Sequence, residues 1–184
     1  MPFDPVIVVG GGLAGCECAL QLAKRGVPVK LFEMRPHTSS PAHRTDGLAE
    51  LVCSNSLKAT RIDSAAGLLK EELARMGSEL LQCANAASVP AGGALAVDRE
   101  TFSSLVEEKV GNEELIELVR EEVTAIPTGR VVIAAGPLCS PALSEAVLEL
   151  VGGSSLSFFD AAAPIVDAES LDRSVLFRQS RYGE

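Results

Sequence analysis

Gly10, Gly12 and Gly15 stand at the spacing G-x-G-x-x-G, and an acidic residue, Glu33, closes the next apolar stretch. Glycines at this spacing let a backbone turn sharply, approach a pyrophosphate closely and pack a helix tightly on a strand. The helix start that follows offers unpaired N–H groups and positive partial charge to phosphate oxygens. Glu33 is placed to accept hydrogen bonds from ribose hydroxyls, and its negative charge disfavours a 2′-phosphate. The candidate dinucleotide site therefore comprises Gly10, Gly11, Gly12, Leu13, Ala14, Gly15 and Glu33, with Met34 and Arg35 directly after it.

A thiol is the second candidate. Cys53 lies in LAELVCSNSLKA, among small polar residues and near Arg44 and Lys58, which would favour a thiolate. Residue types alone leave two readings open, a small packing residue or a thiol held for chemistry. Cys16 and Cys18 are two apart on one helix and cannot share a face, so both are read as packing residues. Cys83 and Cys139 are read the same way. No pair of cysteines has redox-disulfide spacing. Ser54 and Ser56 lack a nearby His–Asp partner for hydrolysis, and His37 and His43 read as surface residues of a loop. No His, Cys and Asp cluster has ligand spacing, so no metal is predicted.

The elements that must position these groups follow from periodicity. Val6 to Val9 reads as a buried parallel strand entering the glycine turn. Leu13 to Arg25 reads as a helix ending at Gly26, and Val27 to Phe32 as a second strand. Together they form a βαβ unit of about 30 residues. A long irregular loop follows, with a short helix expected at 48–52. Further expectations are a helix over 64–83, a strand at Ala94 to Val97, a helix over 99–110 capped by Asp98, a third strand over 115–119, a strand from Val131 closed by Gly136-Pro137, and a helix over 141–151. Phe158 to Val166 is apolar with an internal Pro164. The fold class is α/β, a Rossmann-like parallel sheet flanked by helices. The expected division is a dinucleotide-binding domain over 1–150, with a functional loop at 36–60 and a loop and short strand at 84–97. Residues 151–184 would begin a following, incomplete domain.

Composition narrows the classes. The 184 residues are 47% hydrophobic and 22% charged, ordinary for a globular domain. A net charge of −9 argues against a nucleic-acid-binding surface over the whole molecule, although Arg173, Arg178 and Arg181 cluster locally. No apolar run approaches the roughly 20 residues that cross a bilayer. The start MPFDPVIVVGGG lacks a basic n-region, and a cytoplasmic location is expected.

VVIAAGP resembles the second fingerprint of two-dinucleotide-domain flavoproteins, which favours FAD over NAD. That resemblance puts Ala135 and Gly136 beside the cofactor, and Glu122 and Val123 where backbone meets adenine. More specific segments extend it: VVGGGLAGCECALQLAKRG, LFEMRP, PAHRTDGLAELVCSNSLKA, VPAGGALAVDRETF, AAGPLCSPALS, FFDAAAPIVDAESLD and FRQSRYGE. On these the chain resembles the N-terminal portion of the folate- and FAD-dependent tRNA uracil-C5 methyltransferases. The resemblance implies that FAD is held by the first segment. A methylene group then passes from methylenetetrahydrofolate by way of the flavin to C5 of a T-arm uridine, and NADH or NADPH supplies electrons. It further implies that Cys53 is catalytic, as acid or base toward uracil or in transient covalent chemistry at the flavin. By residue type alone, Asn55 and Ser56 are candidates to hydrogen-bond the flavin ring or phosphates. Ala135 and Cys139 stand where that family more often has threonine, and the later segment with a second functional cysteine is not in this chain. A wobble-uridine-modifying flavoprotein is the alternative, which LVCSNSL disfavours; a silent FAD-binding module is the other.

Overall fold

The β-branched run Val6–Val9 forms strand β1, and Leu13–Ala23 forms helix α1 directly after the glycine turn. The computed structural model describes residues 4–153 and 167–176. Strand β2 (Val29–Phe32) returns beside β1 after Gly26, whose φ of +77° ends the helical stretch. The chain then gives β3 (Ser56–Ala59), α2 (Ala65–Arg75), α3 (Glu79–Ala86), β4 (Ser88–Val89), β5 (Ala94–Val97), α4 (Arg99–Gly111), β6 (Ile116–Val119), β7 (Val131–Ile133) and α5 (Pro141–Val151).

Four of these strands make a wholly parallel sheet in the order β6-β2-β1-β7. In chain order its strands are first, second, third and fourth, arranged 3-2-1-4, the order of a dinucleotide-binding half. The direction of winding reverses between β1 and β7, so the carboxyl ends of those two strands border the crevice where such sheets bind ligands. Register places Val6, Val8, Val29, Leu31, Ile116 and Leu118 on one face, against α1 and α4. Phe102, Val106 and Val110 of α4 complete that core, with Leu80, Cys83 and Ala84 of α3 beyond α1. The opposite face is partly open and carries the Lys30–Glu117 ion pair.

The expected helix over 64–83 is two helices. Gly77 has φ +75°, and Ser78 caps α3 by accepting from Leu81 N at 3.2 Å. The carboxylate of Glu17, on α1, accepts from Glu79 N and Leu80 N, which fixes the new helix start against α1. No helix forms at 48–52; that segment is a turn in which buried Ala49 has φ +52°. The sequence reading also missed β3, which pairs antiparallel with β5 in a second sheet of order β3-β5-β4. Its Ser-Leu-Lys-Ala alternates polar and apolar residues for only four positions at the end of a long irregular segment, too short a run to stand out. The final strand ends at Ile133, and Gly136–Leu138 is a 3₁₀ turn. The apolar stretch 158–166 and most of the segment 151–184 lie outside the described residues. Among the described residues no helix is long and apolar enough to cross a membrane.

Candidate functional site

All four parallel strands deliver residues to one cleft at their carboxyl ends. Val9 ends β1 and Gly10–Gly12 follow it, Phe32 ends β2 and Glu33–Arg35 follow it, Glu121–Val123 follow β6, and Ala135 with Leu138–Ser140 follow β7. His43, Glu50 and Leu143 complete the lining.

The three motif glycines meet three different demands. Gly10 has φ +110°, and a side chain there would fall 2.6 Å from the Ala135 Cα. A Cβ on Gly15 would stand 1.8 Å from the Gly10 carbonyl oxygen, so α1 rests directly on the turn. A Cβ on Gly12 meets nothing within 4 Å. The first α1 hydrogen bond in the ladder runs from Cys16 N to Gly12 O, at 3.0 Å. The N–H groups of Gly12, Leu13, Ala14 and Gly15 thus precede the ladder and face the direction in which an anion is stabilised. The open space over Gly12 and these donors fit a pyrophosphate.

Glu33 is 5% exposed. Its Oε2 accepts from Gly11 N at 2.8 Å, and its Oε1 accepts from Arg35 N at 3.0 Å and Arg35 Nε at 2.8 Å. Two carboxylate oxygens offer about four acceptor positions, so one remains at Oε2 for a hydroxyl such as that of a ribose. Burial pushes the Glu33 carboxyl up, but the Arg35 guanidinium and the Arg35 and Gly11 N–H groups outweigh it and hold the group below its ordinary value. Arg35 stays charged for the converse reason: burial opposes its charge, and Glu33 and Glu50 restore it. Burial and the Arg35 charge lower His43, whose Nδ1 lies 2.8 Å from Ser40 Oγ. Glu122 accepts from Thr38 Oγ1 at 2.9 Å and from Ser140, tying three segments at the rim.

These shifts fix a pH dependence. His43 and Glu33 both titrate below their ordinary values of 6.5 and 4.5, so the stability they contribute is present above those values and is lost as the pH falls through the folded ones. The melting temperature is expected to drop in two windows on acidification, below 6.5 and again below 4.5. His43→Asn should remove the first window in a thermal melt. A melting temperature that rises on acidification from neutrality to pH 5.5 would contradict this assignment.

Gly10, Gly11, Gly12, Glu33, Met34, Arg35, Val123 and Ala135 are brought together at the cleft. Leu13 and Ala14 lie just outside it at the exposed start of α1, and Gly136 opens the 3₁₀ turn beside Ala135. Asn55 and Ser56 are not brought there. The Asn55 Nδ2 donates to Val97 O at 3.1 Å, and the Ser56 Oγ accepts from Lys58 N at 3.2 Å, so both side chains are engaged at the second sheet. Cys16, Cys83 and Cys18 pack as expected, and burial pushes the Cys16 thiol up to about 12. Cys139 instead lines the cleft, as do His43 and Glu50. Proximity to a strand's carboxyl end was the available signal for Cys139; His43 and Glu50 come from an irregular loop with no period to read.

Cys53 is exposed, on an arch between two anchors. On one side Leu48, Ala49 and Leu51 are buried, and the Ala49 N–H donates to Gly11 O at 2.8 Å. On the other, Asn55 O accepts from Val97 N at 2.9 Å. Cys53 is four positions along the chain from Ala49, so its Cα lies within about 14 Å of the Cα of the residue bonded to the glycine turn. Among the described residues no group of three or more His, Cys, Asp or Glu could hold a metal ion.

A family profile described as "Glucose inhibited division protein A" matches residues 5–184. A methylenetetrahydrofolate--tRNA-(uracil-5-)-methyltransferase TrmFO of Geobacter sulfurreducens is 60% identical over 180 residues, covering 97% of this chain and 41% of that protein. The protein of the same name from Desulforudis audaxviator is 56% identical over 179 residues, again covering 97% of this chain and 41% of its own length. The chain thus spans less than half the length of these relatives. Among solved structures, Aquifex aeolicus GidA aligns with a TM-score of 0.57 at 18% identity, over 72% of this chain and 25% of that one, a likeness of fold.

Proposed function

This chain belongs to the glucose inhibited division protein A family, and on that premise we propose that it is the FAD-binding portion of a methylenetetrahydrofolate-dependent tRNA (uracil-5-)-methyltransferase. The observation that carries the proposal is the bond between the two candidate centres: Ala49, four residues before the thiol of Cys53, donates its N–H to the carbonyl of Gly11 in the dinucleotide turn. Identity of 60% and 56% to proteins of that activity supports the same reading.

In this reading the N–H groups from Gly12 to Gly15 hold the pyrophosphate, with Leu13 and Ala14 contributing backbone alone. Glu33 takes a ribose hydroxyl. The Val123 backbone meets the adenine, and Ala135 with Gly136 borders the cofactor where β7 ends. Bound FAD supplies the redox carrier between the nicotinamide, the folate one-carbon unit and the uracil. Cys53 is the catalytic thiol, carried on the exposed arch that begins at the Ala49 anchor. Substrates of this kind, tRNA and a folate, support a cytoplasmic location.

The test uses a protein of the relatives' full length that carries this sequence. It is incubated with unmodified tRNA, methylenetetrahydrofolate, FAD, and NADH or NADPH, and the digested nucleosides are analysed by mass spectrometry. Formation of 5-methyluridine in the T-arm is the expected result. A flavin-loaded protein that forms none with either reductant would overturn the activity.

A further inference from the structure

We propose that Arg35 is a positioning residue that carries occupancy of the ribose subsite at Glu33 to the loop bearing Cys53. The proposal rests on the dinucleotide reading given above and adds a connection within it. Arg35 is 2% exposed and lies between two carboxylates. Its Nε donates to Glu33 Oε1 at 2.8 Å, and its Nη1 donates to Glu50 Oε2 at 2.8 Å and to Thr45 O at 3.3 Å. Glu50 in turn accepts from Arg44 N at 2.9 Å and from Thr45 N at 3.4 Å. One guanidinium therefore links the carboxylate offered to ribose with the backbone at the start of the Cys53 loop.

The chemistry of the link is specific to arginine. A planar fork with several directed N–H groups can satisfy two carboxylates on different edges, whereas a single ammonium is a point charge on a flexible stem. Buried charges are held in place because any misalignment leaves one unpaired in a low-dielectric surround. A ribose hydroxyl donated to the remaining position on Glu33 Oε2 restrains that carboxylate. The restraint passes to the guanidinium, then to Glu50, and so to the Arg44 and Thr45 amides.

A second connection runs beside the first and does not use Arg35. Gly11 donates its N–H to Glu33 and accepts from Ala49 N through its carbonyl. The two routes end on different amides, which lets one experiment tell them apart. Arg44 and Thr45 report the arginine route, and Ala49 reports the glycine route.

The experiment is amide hydrogen exchange of this chain with and without ADP, which carries the ribose and diphosphate but no flavin to touch the loop directly. In wild type, ADP is expected to slow exchange at Gly12–Gly15, at Ala49, and at Arg44 and Thr45, the last two by about fivefold or more. In Arg35→Lys, with ADP raised until the slowing at Gly12–Gly15 saturates, slowing at Ala49 should be seen while that at Arg44 and Thr45 disappears. Equal slowing at Arg44 and Thr45 in wild type and variant would overturn the proposal. So would a wild type in which ADP slows Gly12–Gly15 alone. Absence of any slowing at Gly12–Gly15 would remove the dinucleotide site and the proposal with it. If Arg35→Lys does not fold, the wild-type Arg35 Nε–H resonance decides the matter. It should shift on ADP titration with the midpoint of the Gly12 amide, and a resonance that stays still would overturn the link.

Discussion

Gly15→Ala is expected to weaken dinucleotide binding strongly, because its methyl group would stand 1.8 Å from the carbonyl oxygen of Gly10. The clash is with backbone, so no side-chain rotation relieves it. Either α1 withdraws from β1 or the glycine turn changes shape, and each displaces the N–H groups that face the phosphate. Overpacking of this kind costs about 1–3 kcal/mol of stability. The loss of affinity for FAD should be on the order of 100-fold, since 1.4 kcal/mol corresponds to about tenfold and the donors move together. Gly12→Ala provides the contrast. Its Cβ meets no atom within 4 Å, so the fold should keep its melting temperature while the methyl group occupies space assigned to the pyrophosphate. Isothermal titration with FAD and thermal melts of both variants check the pair. A Gly12→Ala protein that binds FAD like wild type would show that the diphosphate does not lie over this turn.

Cys53→Ala is expected to lower the methylation rate by on the order of 10²- to 10⁴-fold in a protein of the relatives' full length, with FAD binding unchanged. The side chain is exposed, and its removal leaves no cavity, so stability should stay within about 0.5 kcal/mol of wild type. Rate and flavin content measured on the same preparation separate lost chemistry from lost cofactor. A variant that methylates at the wild-type rate would show that the thiol takes no part in the reaction.

The parallel sheet was legible because buried parallel strands are continuous apolar runs, as in VIVV, and because glycine turns and caps have fixed chemistry. Gly10, Gly12, Gly15, Glu33 and the Asp98 cap fall into this group; the Asp98 side chain accepts from Thr101 N at 2.8 Å. The division of 64–83 into two helices was hidden. The apolar face continues across Gly77, and the interruption is enforced from a distance by Glu17. The turn at Ala49 was hidden for a similar reason, since LAELV has helical character and its strained φ is imposed by burial and by the Gly11 carbonyl. The Glu33–Arg35–Glu50 chain could be read only in part. The first two residues are two apart in sequence, but Glu50 reaches them through an irregular loop. Asn55 and Ser56 look like ligands by type, and tertiary pairing with β5 turns them elsewhere.

The central claim is that the cleft at the carboxyl ends of β1, β2, β6 and β7 takes an adenine dinucleotide on the glycine turn and Glu33. Isothermal titration of this chain with FAD, repeated in the presence of ADP, tests it most directly. The account predicts saturable binding of one FAD per chain, competed by ADP. A wild-type chain that is folded by thermal melt and shows no saturable binding of either nucleotide would contradict it.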